Sequence, residues 1–222
     1  MNSRRGTFAL VRKSLDFVIT GCPRSGTRYL ARILTALGYD CDHEACFNPW
    51  RVVLAEDRPE TCIWGDSSWM AVPFLETLPP ETVVIHLVRD PLRTINSILG
   101  TGQLDWPNDY RSFLASHVWG DDLYWPSDVR EAAQNFWVNW NERIDGTGRV
   151  QIRMQVERAR ESLEVLVDVL DPGRKLSPSD LIRVNEIPTD ENARPYLTPA
   201  TLSSADLIPR CRELASRYGY SY

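Results

Sequence analysis

Residues 17–34 read FVITGCPRSGTRYLARIL, and this stretch decides the fold class. Its first part belongs to an apolar run at 16–20 that predicts a β-strand. A helix is predicted over 27–37, because leucine and isoleucine recur there at helical spacing and Gly38 follows as a stop signal. The glycine-containing loop between strand and helix, residues 21–28, presents backbone N–H groups at a helix N-terminus. The stretch therefore predicts an anion-binding loop in an α/β protein.

Further predicted strands and helices alternate along the chain. TVVIHLV at 82–88 is a continuous apolar and β-branched run, which is typical of a strand buried on both faces of a parallel sheet. Asp90 and Pro91 then predict a helix start, as N-cap and first helical residue. The other predicted elements are strands at 61–65 and 149–154, and helices at 127–144 with Ser127 as cap, at 156–170 and near 204–218. This alternation predicts a doubly wound α/β fold, with a central parallel sheet and helices on both faces.

The composition is that of a soluble globular protein. The chain has 222 residues, 43% of them hydrophobic and 25% charged, which predicts one domain over 1–222 with residues 1–15 as an N-terminal extension. No apolar stretch has membrane-spanning length, and the first residues lack a signal-peptide pattern. Five scattered cysteines and three scattered histidines favour free thiols and disfavour a zinc site. Because the net charge is −5, a nucleic-acid partner is not expected. The free thiols and the lack of a membrane-spanning stretch lead us to expect a cytoplasmic protein with no membrane partner.

Three anions fit the loop at 21–28: the phosphates of a nucleoside triphosphate, the phosphoryl group of a phosphatase substrate, and the phosphosulfate of a sulfuryl donor. Gly21 and Gly26 have the spacing of a nucleotide P-loop, G-x-x-x-x-G. The next two positions of that motif are Lys and then Ser or Thr, whereas Thr27 and Arg28 stand here. Without the lysine that reaches the terminal phosphates, an ATP or GTP hydrolase is disfavoured.

A cysteine phosphatase is the second possibility, because Cys22 and Arg28 form a C-x5-R arrangement between strand and helix. A thiolate at a helix N-terminus near arginine has a lowered pKa and attacks phosphorus. Against this, Pro23 removes one N–H from the loop, and Tyr29 stands where a Ser or Thr would assist the thiolate. Cys22 as a small buried apolar residue is the simpler interpretation.

The third possibility rests on a resemblance. PRSGT, residues 23–27, resembles the loop with which PAPS-dependent sulfotransferases grip the 5′-phosphosulfate of PAPS (3′-phosphoadenosine 5′-phosphosulfate). The resemblance implies a single P-loop-like domain in which Arg24 contacts the phosphosulfate and its bridging oxygen. Backbone N–H groups and hydroxyls complete the implied cradle. The implied donor-binding residues of this loop are Arg24, Ser25, Gly26, Thr27 and Arg28.

The same family has a second element, a strand, an arginine and a helix bearing serine, that binds the donor's 3′-phosphate. HLVRDPLRTINSI at 86–98 resembles it, with Arg89 at the strand end and Ser97 on the helix. The chemistry is consistent, because a guanidinium forks onto phosphate oxygens and a hydroxyl adds a neutral donor. Arg93 lies four residues before Ser97 and shares its helix face. The alternative is that Arg89 pairs with a carboxylate and Ser97 is merely solvated.

The resemblance also implies the chemistry: transfer of a sulfuryl group from PAPS to a hydroxyl or amine acceptor, release of the desulfonated nucleotide PAP, and no metal ion. Arg24 would stabilise the charge on the leaving oxygen. A general base must take the acceptor's proton. Glu44 is the expected base, with His43 second and His117 third. The first two lie in GYDCDHEACFNPW at 38–50, and the alternative for residues 42–44 is an exposed polar loop without a catalytic role. A non-catalytic nucleotide-binding module is the alternative outside catalysis.

On this interpretation the acceptor is a small molecule, a carbohydrate or another hydroxyl-bearing compound. Residues 101–127 are predicted to form a loop or lid on the acceptor side. Its aromatic residues would either stack on a sugar or phenol or anchor the loop in the core; they are Trp106, Tyr110, Trp119, Tyr124 and Trp125. Further candidates for contact with donor or acceptor are Ser67, Ser68, Trp69 and Arg194.

Overall fold

A five-stranded parallel sheet forms the centre of the protein. The computed structural model describes residues 15–47, 63–102, 104, 114–116, 120, 127–189 and 202–222. The strands are β1 (Phe17–Thr20), β2 (Asp40–His43), β3 (Trp64–Ser67), β4 (Val83–Val88) and β5 (Val150–Gln155). They lie in the order β2-β3-β1-β4-β5, and every neighbouring pair is parallel. The α/β fold with a central parallel sheet is confirmed.

Helices cover both faces of this sheet, as the alternation predicts. The α-helices of the described residues are α1 (Thr27–Ala36), α2 (Pro91–Gly100), α3 (Val129–Gly146), α4 (Leu163–Leu170), α5 (Pro178–Asn185) and α6 (Pro209–Arg217). One hydrophobic cluster joins the sheet to α1, α4 and α5. The other joins it to α2, α3, α6 and a 3₁₀ segment at Trp69–Thr77. Across the described ranges, no helix has the length and apolar character to cross a membrane.

Local sequence signals place most of the elements. β4 begins one residue inside the predicted range, and its side chains from Val84 to Val88 are all buried. Asp90 caps α2 by accepting from the backbone N–H of Arg93 at 2.8 Å, with Pro91 as the first helical residue. The cap of α3 is Asp128, so the prediction of Ser127 is wrong. Asp128 directly precedes the helix, and its Oδ1 accepts from the N–H groups of Arg130 at 2.8 Å and Glu131 at 3.3 Å.

Two predicted helices are shorter than expected. The predicted helix at 156–170 begins with a 3₁₀ turn at Val156–Arg158, and its α-helical part starts only at Leu163. The predicted helix near 204–218 starts at Pro209, because proline has no N–H to donate within a helix. Helix α5 is absent from the prediction, although Ser177 and Asp180 form a capping box and Pro178 is the first helical residue.

The segment at 38–50, in which no strand is predicted, contains β2. This strand pairs on one side only, with β3, and one of its four side chains is buried, that of Cys41. Such a polar edge strand has no apolar alternation to reveal it. The predicted strand at 61–65 is β3, which extends further, to Ser67, because its polar residues Asp66 and Ser67 are buried with hydrogen-bond partners.

The chain leaves the neighbouring strands β1 and β4 towards opposite faces of the sheet. The two strands pair from Phe17 with Val83 to Thr20 with His86. β1 leads into α1 on one face, whereas β4 leads into α2 on the other. Adjacent parallel strands with diverging connections leave a crevice at their carboxyl ends, and open α/β sheets bind ligands at such a crevice.

Candidate functional site

The loop between β1 and α1 depends on its two glycines. A Cβ on Gly21 would lie 2.1 Å from the carbonyl oxygen of Leu87 on β4, so no side chain fits there. Gly26, the N-cap of α1, has φ 93°, and a Cβ on it would lie 2.7 Å from Cγ2 of Val156. The G-x-x-x-x-G spacing thus reflects close backbone approach at one end of the loop and left-handed backbone at the other.

Arg24 lies between these glycines in a conformation that side chains rarely adopt. Its φ is 70°, in the left-handed region, where a non-glycine residue costs roughly 1–2 kcal/mol. Strain of this kind clusters at ligand-binding sites, where the surrounding structure holds it in place. The left-handed backbone sets the direction in which the Arg24 side chain leaves the loop.

The two sequence motifs meet at the crevice. Nε of Arg24 donates to Oγ of Ser97 at 2.9 Å, and Nη1 of Arg89 donates to the carbonyl oxygen of Arg24 at 3.0 Å. Ser97 is only 5% exposed, so it is not a solvated surface hydroxyl. Among the described residues, the hydrogen-bond acceptor of the Arg89 guanidinium is this carbonyl oxygen and not a carboxylate. The structure therefore brings Arg24, Arg89 and Ser97 together, whereas Arg93 on the same helix is exposed.

Buried polar atoms without partners line the same loop. Ser25 is 2% exposed, and its Oγ has no hydrogen-bond partner within the described structure. Thr20 is fully buried, and its Oγ1 has no partner there either. Thr20 precedes Gly21 in the chain, and Oγ of Ser25 would lie 2.6 Å from a Cβ on Gly21. The first N–H groups of α1 lack intrahelical acceptors, and Gly26 supplies no side-chain cap. Hydroxyl and N–H donors left unsatisfied in one place fit an anion with several oxygens.

Cys22 and Arg28 are not arranged as a thiolate and its partner. Cys22 is 1% exposed, and burial raises the pKa of its thiol well above the usual value. The residue packs in the core cluster on the α2 face of the sheet. Arg28 is exposed on the first turn of α1. Its charge acts on His43, whose pKa it helps to lower.

His43 ends β2 and reaches the first loop. Its Nε2 lies 3.2 Å from Oγ1 of Thr27 and 3.9 Å from Oε1 of Glu44. Burial, and then the charge of Arg28, lowers the pKa of His43 to about 4. The imidazole is therefore neutral near neutral pH, and its approach to Glu44 is not an ion pair. The two expected bases lie side by side next to the loop at 21–28.

The turn that carries Glu44 is held by Asp66, a residue that the sequence analysis missed. The fully buried carboxylate accepts from the backbone N–H of Ala45 at 3.0 Å and of Phe47 at 3.4 Å. Burial raises the pKa of Asp66 to about 6, although these N–H groups favour the charged form. Glu44 itself has φ 58°, again in the left-handed region. A lone acidic residue inside a short strand was the available signal.

Three further candidates, Ser67, Ser68 and Trp69, connect the end of β3 to neighbouring parts of the fold. Ser67 donates from Oγ to the carbonyl oxygen of Thr27 at 2.8 Å, and Ser68 donates to the carbonyl oxygen of Phe47 at 3.1 Å. Trp69 packs in the core, with its ring centroid 5.4 Å from that of Trp140. All three are buried. Ser67 contacts the first loop, Ser68 contacts the turn that carries Glu44, and Trp69 contacts α3.

The comparisons with known proteins add no family. The sequence matches no family model, and no curated protein is significantly similar to it. Within the described ranges, no three His, Cys, Asp or Glu side chains gather as metal ligands would. The predictions for His117, for Arg194 and for the aromatic residues of the lid lie outside the described residues.

Proposed function

We propose that this protein is a PAPS-dependent sulfotransferase, which moves a sulfuryl group to a hydroxyl or amine acceptor and releases PAP. The observation that carries the proposal is the contact of Arg24 with both Ser97 and Arg89. Two motifs 65 residues apart in sequence resemble the 5′ and 3′ halves of one donor site, and they interlock at a single crevice. A donor with anions at both ends suits two adjacent arginines.

The residues of the crevice divide the chemistry between them. The bond from sulfur to the acceptor oxygen or nitrogen forms as the bond from sulfur to the 5′-phosphate oxygen breaks. Negative charge grows on that leaving oxygen, and the guanidinium of Arg24 stabilises it. The unpartnered hydroxyl of Ser25 and the first N–H groups of α1 bind the remaining oxygens. Arg89 and Ser97 hold the 3′-phosphate, so that the donor is fixed for in-line attack.

Glu44 is the base in this proposal. An acceptor hydroxyl must lose its proton as it attacks, and a carboxylate beside the first loop accepts it. His43 is the weaker choice, because a histidine whose pKa is about 4 binds protons poorly near neutral pH. Through Thr27, His43 instead ties the end of β2 to the anion loop.

The two alternatives have less support. A thiol phosphatase needs an accessible thiolate, whereas burial raises the pKa of the Cys22 thiol. A non-catalytic nucleotide-binding module accounts for the loop but gives no role to Glu44, which is held in left-handed backbone beside it.

Calorimetric titration with PAP tests the proposal, with ATP plus Mg²⁺ as the parallel ligand. We expect micromolar PAP binding that Arg89→Ala abolishes, and little ATP binding. Arg210→Ala is the matched control, because Arg210 is exposed on α6 and pairs with Glu142 away from the crevice. No PAP binding by a folded protein, or tighter binding of ATP than of PAP, would overturn the proposal.

A further inference from the structure

A run of three tyrosines crosses the carboxyl ends of β4 and β5. Residues 218–222 read YGYSY, follow α6, and are here called the tyrosine strap. Nε2 of Gln155, the last residue of β5, donates to the carbonyl oxygen of Tyr218 at 2.7 Å. From there the strap reaches the turn that connects β4 to α2.

Two tyrosine hydroxyls of the strap donate to two carboxylates. Oη of Tyr220 donates to Oε2 of Glu157 at 2.9 Å, and Oη of Tyr222 donates to Oδ2 of Asp90 at 2.5 Å. Asp90 lies 132 residues before Tyr222 in sequence, so the second bond joins distant parts of the chain. Hydrogen bonds to an ionised acceptor are shorter and stronger than neutral ones.

Each of these carboxylates also binds backbone of the β4–α2 turn. Oε1 of Glu157 accepts from the N–H of Asp90 at 2.9 Å, and Oδ1 of Asp90 accepts from the N–H of Arg93 at 2.8 Å. The N–H of Leu92 donates to Oη of Tyr222 at 3.5 Å. Three N–H groups of this turn are therefore bound by the strap or by the carboxylates that it holds.

Arg89 immediately precedes this turn and bonds to the carbonyl oxygen of Arg24. Its guanidinium is the natural partner of any nearby carboxylate that is free to move. A carboxylate that reached it would fill its hydrogen-bonding fork and repel an incoming anion. In Asp90 and in Glu157, one carboxylate oxygen accepts from a backbone N–H and the other from a tyrosine hydroxyl.

We propose that Tyr220 and Tyr222 are positioning residues for Arg89, which hold the carboxylates of Glu157 and Asp90 on the β4–α2 turn and leave the guanidinium open to an anionic ligand. The identity of this ligand as the 3′-phosphate of PAP rests on the proposed function. The contacts of the strap with the two carboxylates and the turn are independent of that function.

Two measurements on single variants test the proposal. In Tyr222→Phe and in Tyr220→Phe we expect the Kd for PAP to rise about fivefold, because one hydrogen bond to a charged group is lost. We also expect faster amide hydrogen exchange at Leu92 and Arg93 in Tyr222→Phe. Tyr39→Phe is the control: Tyr39 precedes β2, at the amino ends of the strands, and packs in the cluster on the α1 face.

A double-mutant cycle separates positioning from loss of packing. If Tyr222 acts through the Asp90 carboxylate, Tyr222→Phe has no further effect on PAP affinity in an Asp90→Asn background. An equal fivefold loss in both backgrounds would overturn the positioning role. So would unchanged PAP affinity in both tyrosine variants, with the wild type binding PAP. If the wild type binds no PAP, the proposed function fails. The positioning role of the strap is then tested by hydrogen exchange alone, and unchanged exchange at Leu92 and Arg93 in Tyr222→Phe would overturn that role.

Discussion

Arg24 and Ser97, 73 residues apart in sequence, are joined by a hydrogen bond of 2.9 Å from Nε to Oγ. The bond connects the loop after β1 to the helix after β4, the two connections that diverge at the crevice. Because Ser97 is buried, water does not readily replace it as the acceptor. The direction of the Arg24 side chain therefore depends on a residue of the second motif, and the two halves of the proposed donor site are one structural unit.

Removal of the Ser97 hydroxyl is expected to weaken both halves of the site. Ser97→Ala leaves Nε of Arg24 without this acceptor, and we expect the Kd for PAP to rise about tenfold. Calorimetric titration measures it. Ser162→Ala is the control, because it removes the same hydroxyl from a serine that, within the described structure, bonds only locally, by donating to the carbonyl oxygen of Arg158. Equal PAP affinities in the two variants would argue against the interlock.

Because the backbone of Arg24 is left-handed, we expect glycine to give a more stable protein than alanine at this position, the reverse of the order within a helix. Both replacements remove the guanidinium, so both should abolish PAP binding. At φ 70° a Cβ is unfavourable, so Arg24→Gly should be more stable than Arg24→Ala by about 1 kcal/mol in urea unfolding. Arg32 lies within α1 and is exposed, and there the order should reverse, with glycine less stable by about 1 kcal/mol. The same order at both positions would contradict a strained Arg24.

Features encoded by neighbouring residues were predictable from the sequence. The strand at 83–88 and the cap at Asp90 depend on side chains within a few positions of one another. The apolar periodicity of α1 and the glycines of the first loop are equally local. The resemblance of two short motifs assigned Arg24, Arg89 and Ser97 to one donor site, but the hydrogen bonds that join them are a finding of the structure.

Features that depend on distant partners were not predictable. β2 is polar and is a strand only because β3 lies beside it. Asp66 acts on N–H groups about twenty residues earlier in the chain, and Tyr222 acts on Asp90 across 132 residues. The sequence around Asp66 or Tyr222 would look the same if these partners did not exist. The role of each is decided by tertiary structure alone.

Glu44 and His43 can be separated as bases by matched amide variants. Glu44→Gln keeps the size and polarity of the side chain but accepts no proton, so we expect turnover to fall by about 10²–10⁴-fold while the Kd for PAP is unchanged. His43→Gln should reduce turnover less than tenfold, since a histidine with a pKa of about 4 is a poor base. Steady-state kinetics and PAP titration measure the two effects. Unchanged turnover in an active Glu44→Gln enzyme would show that the base is another residue.

The buried Asp66 predicts a pH dependence of stability. Its pKa is about 6 in the folded protein and about 4 when unfolded, so between these values the native state binds more protons. The stability that this group contributes is complete below pH 4 and is lost as the pH rises to 6, by on the order of 2–3 kcal/mol. Because the side chain of the Asp66→Asn variant cannot ionise, the variant does not lose this part of its stability as the pH rises.

Urea unfolding of Asp66→Asn and the wild type at pH 4, 5, 6 and 7 measures the effect. The free-energy difference between the two proteins should shift in favour of the variant across that range. Asp145 and Asp180, whose pKa values are lowered, and His43 titrate in both proteins, so their contributions cancel in the difference. A difference that is constant with pH would mean that Asp66 ionises as easily in the folded protein as in the unfolded chain.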